Sequence, residues 1–466
     1  MNLALLIPDG VGFRNFVLGP FLSEAARRNH VDVLHGIPPE LLDRFNGVLR
    51  RDTVRWQQLE PDADTRGREF LRNALAYAHL NWANTGLMRL RLGMPVTGST
   101  LGRRMFTRAA RLVGRVAATR RGIEWLDRWH ARAAFRSPSV ERYRQMLREW
   151  RPSVLFCSHQ RPNAIVAPVL AARSLGIPTA TFIFSWDNLS SKGRIAAPFD
   201  HFLVWSELMR DELLRFYPDV SAERVHIVGT PQFEPYADMK LLWSREEFCR
   251  RVNADPARKL ICYTGADPGT CPGDPEYVRV LLEHIRSGAI RGNPQLLLRP
   301  TPVDEGSRYD ALRRDYPELL YARPEWAHSA TRSWESVVPS PGDVQFLANL
   351  TQHGDLNVNW ASTMTLDFAL RDKPVVNVAF DVGMDHRYGV SAWDLYTRSE
   401  HYRPVIELGA ARVARSSDEL AAHVNAYLDN PTLDRAGRRK LVELEIAPPV
   451  GASSGRILAA LARIGR

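Results

Sequence analysis

Short apolar runs alternate with amphipathic stretches along this chain, and their order predicts the architecture. Residues 3–7 are apolar, Asp9-Gly10-Val11-Gly12 reads as a turn, residues 16–28 carry helical periodicity, and residues 31–34 are strand-like again. From about residue 40 to 150 the pattern changes. Arg, Trp and Leu dominate there, helical spacing is general, and no strand stands out. At Ser153 the alternation resumes: SVLFCSH predicts a buried strand, AIVAPVLAARSLGI a helix ending at Gly176, and PTATFIF another strand. After a polar loop come HFLVWS, a charged helical segment and VHIVG. Strands separated by helices of 10–15 residues predict parallel βαβ units.

The stretch around Pro231 and Pro235 reads as a linker, and beyond it the same grammar starts afresh. KLICYTG is a strand, a Gly/Pro-rich loop runs to Pro275, a helix follows near residues 276–287, and QLLLRPTP is the next strand. DLNVNW, STMTLDFALRD and PVVNVAF continue as strand, helix and strand, and residues 433–445 and 453–464 close the chain as helices. A length of 466 residues exceeds one ordinary core. The expected fold is α/β, of two Rossmann-like domains facing a cleft. Residues 1–235 form the first domain with a helical, Arg-rich insert at about 40–150, residues 236–450 the second, and residues 451–466 a closing helix.

Composition narrows the class. Hydrophobic content of 45% and charged content of 24% are those of a folded globular chain. The four cysteines form no CxxC pair, and three sit in or beside apolar runs, which reads as core residues in a reducing compartment rather than a disulfide or zinc framework. The start, MNLALLIPDG, has no basic leader, and no apolar run approaches the ~20 residues of a membrane span. The expectation is a cytoplasmic protein, peripheral on a membrane at most. A net charge of +10, mostly from arginine, points to a polyanionic partner.

Candidate chemistry lies where strands end. In the second half, Ser362 and Thr363 open a helix after a strand, so backbone amides and two hydroxyls face outward with the positive end of the helix dipole behind them. Asp367 follows one turn later and can accept hydrogen bonds from a ribose diol. The alternative is an ordinary cap with a solvated carboxylate. Gly265 begins a loop at the end of another strand, a common ligand position in parallel sheets. Arg299, ending QLLLRP, can clamp a pyrophosphate or close an ion pair.

In the first half, SWDNLSSKG follows the buried strand TFIF. Asp187 can act as a general base if apolar neighbours such as Trp186 raise its pKa, while an Asx-turn would lower it. Asn188, Ser190, Ser191 and Lys192 can hold acceptor hydroxyls or phosphate. His159 ends a neighbouring strand, as a second catalytic candidate or a satisfied structural group. Gly10 and Gly12 make only part of a dinucleotide fingerprint, since Asn15 stands at the third glycine, so Gly12 is assigned to a turn bordering the acceptor. Within the insert, Arg103, Arg104, Arg108, Arg111, Arg115, Arg120 and Arg121 flank an apolar stripe, as in helices that lie on anionic membranes; a solvated basic face is the alternative. No helix-turn-helix or aromatic-basic sheet pattern favours nucleic acid.

Three stretches carry a resemblance to bacterial GT-B glycosyltransferases of surface-polysaccharide synthesis and, more distantly, to CDP-glycerol glycerophosphotransferases. They are TATFIFSWDNLSSKG with FDHFLVWSELMRDELL and VHIVGTPQFEPY, then LLLRPTP, then NWASTMTLDFALRDKPVVNVAFD. Together they span about residues 153–381, and the insert lies outside the resemblance. The glycerophosphotransferases have Trp-His-Gly where this chain has Trp186-Asp187-Asn188, which by position gives Asp187 the role of their catalytic histidine. Their proline-flanking histidine is replaced by Thr301. Both departures count against glycerol-phosphate transfer.

The resemblance implies a metal-independent transferase without cofactor, moving a sugar from a nucleotide-activated donor to a glycan or lipid-linked acceptor. Ser362, Thr363, Asp367, Arg299 and Gly265 would bind the donor. Asn188, Lys192 and Gly12 would border the acceptor, with Asp187 as base and His159 beside it. No DxD pair stands at a strand end. The rivals are a glycerophosphotransferase, a sugar-nucleotide epimerase of the same fold, and a non-catalytic membrane scaffold.

Overall fold

Seven parallel strands make the first sheet: β1 (Asn2–Ile7), β2 (His30–His35), β3 (Val54–Gln58), β4 (Val154–Cys157), β5 (Thr179–Phe182), β6 (His201–Val204) and β7 (Val225–Ile227), in the order β3-β2-β1-β4-β5-β6-β7. They belong to a computed structural model that describes residues 1–45, 54–98, 100–328, 334, 336–383 and 388–466, with the side chains of 42–44 also left aside. Residues 46–53 and 99 of the expected insert thus lie outside the described residues. The chain divides into two units: residues 1–231 with 399–401 and 452–466, and residues 232–398 with 402–451.

Buried apolar runs explain the first sheet. Leu3 to Ile7 and Val154 to Cys157 are buried on both faces, as central parallel strands require. Phe16 meets Phe21, Phe156 and Phe182 edge-on at 5.2–5.4 Å between centroids, welding the first crossover to the sheet. Two expectations change here. The glycine segment after β1 is itself a helical turn, α1 (Gly10–Phe13), because Asp9 caps it by accepting the Gly12 amide at 2.8 Å. The insert also contains a strand, β3, which its polar sequence conceals because only Val54 is buried.

The rest of the insert is helical, as its spacing predicts: α2 (Arg66–Ala83), α3 (Gly86–Gly93), α4 (Leu101–Val116), α5 (Arg120–Phe135) and α6 (Pro138–Trp150). Each begins at a Ser or Thr, from Thr65 to Ser137, whose hydroxyl accepts a first-turn amide. Helices α4 and α5 both pack on α2. A Cβ on Gly114 would sit 2.5 Å from the Tyr77 side chain and 2.7 Å from the Ala74 carbonyl, so α4 reaches α2 backbone-close. The C-terminal helix α7 (Ser453–Ile464) belongs to this first unit and packs against β4.

The second sheet has six parallel strands: β8 (Leu260–Thr264), β9 (Gln295–Arg299), β10 (Leu320–Tyr321), β13 (Leu356–Asn359), β14 (Val375–Val378) and β15 (Arg412–Ala414). Their order is β10-β9-β8-β13-β14-β15, and a separate antiparallel pair joins β11 (Trp326–His328) to β12 (Val337–Pro339). Both large sheets reverse strand order once, between β1 and β4 and between β8 and β13. Open parallel sheets bind ligands outside the carboxyl ends of strands at such points.

Candidate functional site

At the first reversal, Asp9 follows β1 and His159 follows β4. Nδ1 of His159 lies 2.6 Å from Asp9 Oδ2, while Asp9 Oδ1 accepts the Gly12 amide. A contact this short between a ring nitrogen and a carboxylate holds a proton, so Nδ1 donates to Asp9 and Nε2 is the nitrogen left over. That Nε2 is buried and has no hydrogen-bond partner among the described residues. The ring stacks on Phe184, beyond β5, with centroids 3.8 Å apart. Gly12 is required for this closeness: a Cβ there would sit 2.5 Å from Ser158 Oγ.

The neighbouring turn behaves otherwise than expected. Asp187 accepts from Ser191 Oγ at 2.8 Å and Asn188 Nδ2 at 3.0 Å, and pairs with Lys192 Nζ at 3.3 Å. Burial pulls its pKa upward, but Lys192, His401 and the hydroxyls of Ser191 and Ser185 outweigh that, and the carboxyl is held well below the usual carboxylate range. A base with so low an affinity for protons is poor, which corrects the expectation that Trp186 raises it. Asn188 is likewise engaged inside the protein, accepting from Gln160 Nε2 at 3.0 Å, while Gln160 Oε1 receives the Phe184 amide. Lys192 keeps a partly exposed side chain. The insert fastens this turn from outside: Thr85 Oγ1 donates to the Ser190 carbonyl at 2.6 Å and Arg91 Nη1 to that of Ser191 at 2.8 Å.

In the second domain the expected donor groups are mostly spoken for. Arg299 is buried and gives Nη2 to Asp343 Oδ1 at 2.8 Å, with its guanidinium 5.1 Å over Phe346. Asp367 is buried too and accepts the Tyr236 hydroxyl. Arg299 thus closes an ion pair and Asp367 an internal hydrogen bond, so neither is held open toward a pyrophosphate or a ribose.

The helix after β13, α8 (Met364–Leu370), has short reach and a largely satisfied start. Ala361 N donates to Tyr396 OH at 2.7 Å, Ser362 N to Asn359 Oδ1 at 2.9 Å, and Met364 N to Ser362 Oγ at 3.3 Å. This corrects the expectation that its amides are free for a phosphate. Thr363, half-buried, is left with neither N nor Oγ1 bonded among the described residues. Beneath it runs a buried net: Asn359 Nδ2 to Asn357 Oδ1 (2.6 Å), Asn377 Nδ2 to Asn359 Oδ1 (3.0 Å) and Thr365 Oγ1 to Tyr402 OH (2.7 Å).

Along the three adjacent ends of β9, β8 and β13 stand Thr301, Gly265 and Thr363. Thr301 Oγ1 is buried without a partner among the described residues. Gly265 is hemmed in, since a Cβ would lie 2.8 Å from Tyr309 OH and 3.2 Å from Asp274. Its loop is fixed by Arg308, which donates to the Ala266 and Cys271 carbonyls at 2.6 and 2.8 Å.

Sequence reasoning did not single out Asp9 as a partner for His159, although an Asp two residues after β1 and three before a glycine amide is an N-cap signal. It also missed Thr301, which it used only as a departure from a motif. Among the described residues no group of three or more His, Cys, Asp or Glu is placed to hold a metal, and no helix is long and apolar enough to cross a membrane.

No protein-family model and no curated protein matches the chain. Solved structures do. The UDP-GlcNAc 2-epimerase of Neisseria meningitidis, solved with UDP-GlcNAc bound, covers 99% of this chain and 100% of its own at TM-score 0.56 and 9% identity. That of Methanocaldococcus jannaschii covers 99% and 100% at TM-score 0.53 and 10% identity. WaaG, a glycosyltransferase involved in lipopolysaccharide biosynthesis, covers 98% and 99% at TM-score 0.45 and 12% identity, too slight a likeness to weigh. The two epimerase likenesses concern the fold alone, two Rossmann-like domains of GT-B type.

Proposed function

We propose that the protein is a glycosyltransferase that moves a sugar from a nucleotide-activated donor to an acceptor hydroxyl, with His159 as general base. The observation that carries this reading is Nε2 of His159, unpartnered while Nδ1 is fixed by Asp9 at a sheet reversal. An imidazole held at one nitrogen by a carboxylate presents the other in a fixed direction, as a general base requires. The acceptor O–H gives its proton to Nε2, its oxygen bonds the anomeric carbon, and the bond from that carbon to the donor phosphate breaks. The nucleotide leaves with an added negative charge. In the second domain, Thr301 Oγ1 and Thr363 are the groups left without a partner among the described residues, and so open to a nucleotide phosphate. Lys192, anchored by Asp187, is the cation of the first domain's turn. The acceptor class, a glycan or lipid-linked sugar, rests on the motif resemblance.

One rival has its own support, because the two fold neighbours with a TM-score above 0.5 named above are epimerases. Two measurements separate the readings. Thermal shifts with UDP, GDP, CDP, CMP and dTDP identify the base, since a ligand at a hundred times its Kd stabilises by about 2.7 kcal/mol. The matching sugar nucleotide is then incubated without acceptor. An epimerase interconverts sugars and releases no nucleotide; a transferase leaves the sugar's configuration alone and frees nucleotide once acceptor is added. Epimerisation without acceptor removes the transferase reading, and silence with every nucleotide removes both.

A further inference from the structure

Helix α4 has two apolar sides, and only one of them is used by the fold. Ala110 and Gly114 are buried against α2, with Phe106 meeting Phe70 edge-on at 5.5 Å. On the opposite side Leu101, Met105, Leu112 and Val116 are 71%, 60%, 64% and 77% exposed. At roughly 100° per residue these four fall within about 60° of one another, a continuous stripe. Arg104, Arg108 and Arg115 form an adjoining exposed strip, and none pairs with a carboxylate among the described residues. The helix holds no acidic residue. On α5, which packs on the same helix α2, Trp125 and Trp129 are exposed with ring centroids 5.9 Å apart.

We infer that the outer side of α4 docks on an anionic phospholipid surface, aliphatic side chains entering the acyl boundary and arginines meeting phosphates. Charge complementarity selects this occupant. A second copy of the same stripe would bring arginine against arginine. Nucleic acid would satisfy the arginines but leave four aliphatic side chains with no apolar counterpart, and α4's exposed stripe has no ring to stack on a base. A membrane supplies both halves at once. Binding of this kind needs no nucleotide, so it stands or falls apart from the proposed reaction.

The test is co-sedimentation of the whole chain with vesicles of phosphatidylglycerol in phosphatidylcholine, against phosphatidylcholine alone, without nucleotide. Binding to the anionic vesicles is expected, weaker at high salt. Arg108→Gln with Arg115→Gln should lower the partition coefficient about fivefold for each arginine. Met105→Gln with Leu112→Gln should abolish the part that survives high salt. Arg103→Gln, whose guanidinium is held by Glu69 on the packed side, should leave binding unchanged. Far-UV circular dichroism checks that each variant is folded. Failure to bind anionic vesicles overturns the proposal. So does equal loss in the Arg103 variant, or self-association that disappears with Leu112→Gln, or nucleic acid binding that ignores Met105 and Leu112.

Discussion

The two sheet reversals are built alike and furnished differently. Both lie at the carboxyl ends of parallel strands flanked by a glycine-bearing loop and a short helix. In the first domain the polar groups at that point are left wanting: His159 Nε2 and Ser158 Oγ have no partner among the described residues. In the second most are engaged: Asn357, Asn359, Thr365, Asn377 and Tyr402 bond one another and the helix start above them, while Asn377 Oδ1 and Thr301 Oγ1 stay without a partner among the described residues. A largely bonded net leaves few open positions, while an oriented ring with one nitrogen unpartnered leaves one open.

The largest effect should come from the unsatisfied side. His159→Gln is expected to lower turnover by about 10²–10⁴-fold while thermal shifts with the cognate nucleotide persist. Retained turnover would end His159's part as base. Asp9→Asn, which keeps the shape but offers Nδ1 the wrong partner, should cost roughly 10²-fold in turnover and little in nucleotide affinity; loss confined to affinity would place Asp9 elsewhere. The saturated side should answer in stability. Asn359→Ala strips Ser362 N and Asn377 Nδ2 of an acceptor and should destabilise by about 3 kcal/mol in chemical denaturation. A change near zero would mean the net is ornamental.

His79 sharpens the comparison from another direction. It too is buried with both ring nitrogens unpartnered among the described residues, yet it sits on α2 against Tyr217, away from any strand end. Burial, helped by Arg194, lowers its pKa to about 3. It is therefore neutral in the fold, whereas the unfolded chain takes up a proton below the ordinary value of 6.5. Stability is lost as pH falls from 6.5 toward 3, by up to about 1.4 kcal/mol per pH unit. His79→Phe should flatten that acid limb and leave turnover untouched; an activity loss would show that an orphaned imidazole does not by itself mark the site. The smallest effect concerns Ala361, the residue at φ +44° between β13 and α8. Ala361→Gly should stabilise by at most about 1 kcal/mol, read as a rise in Tm.

Much of the fold was legible. The apolar runs and helical spacing announced most strands and the helical insert, because local burial needs only neighbours in sequence. β3 was not, since one buried valine in an edge strand leaves no pattern. The sites were read less well. His159 and Gly12 stand where strand ends were expected, but Asp187, Arg299 and Asp367 turned inward to Lys192, Asp343 and Tyr236. A polar residue at a strand end has the same letter whether it meets a ligand or a partner far along the chain.

The order of elements, the two-domain division and an apolar stripe beside arginines on α4 follow from the sequence, because periodicity and turn chemistry act over a few residues. Which nitrogen of His159 stays free was decided only by the fold, which brings Asp9 to it across 150 residues of chain. The same holds for α4: Gly114, by letting one side approach α2, determined which stripe was covered and which was left to water.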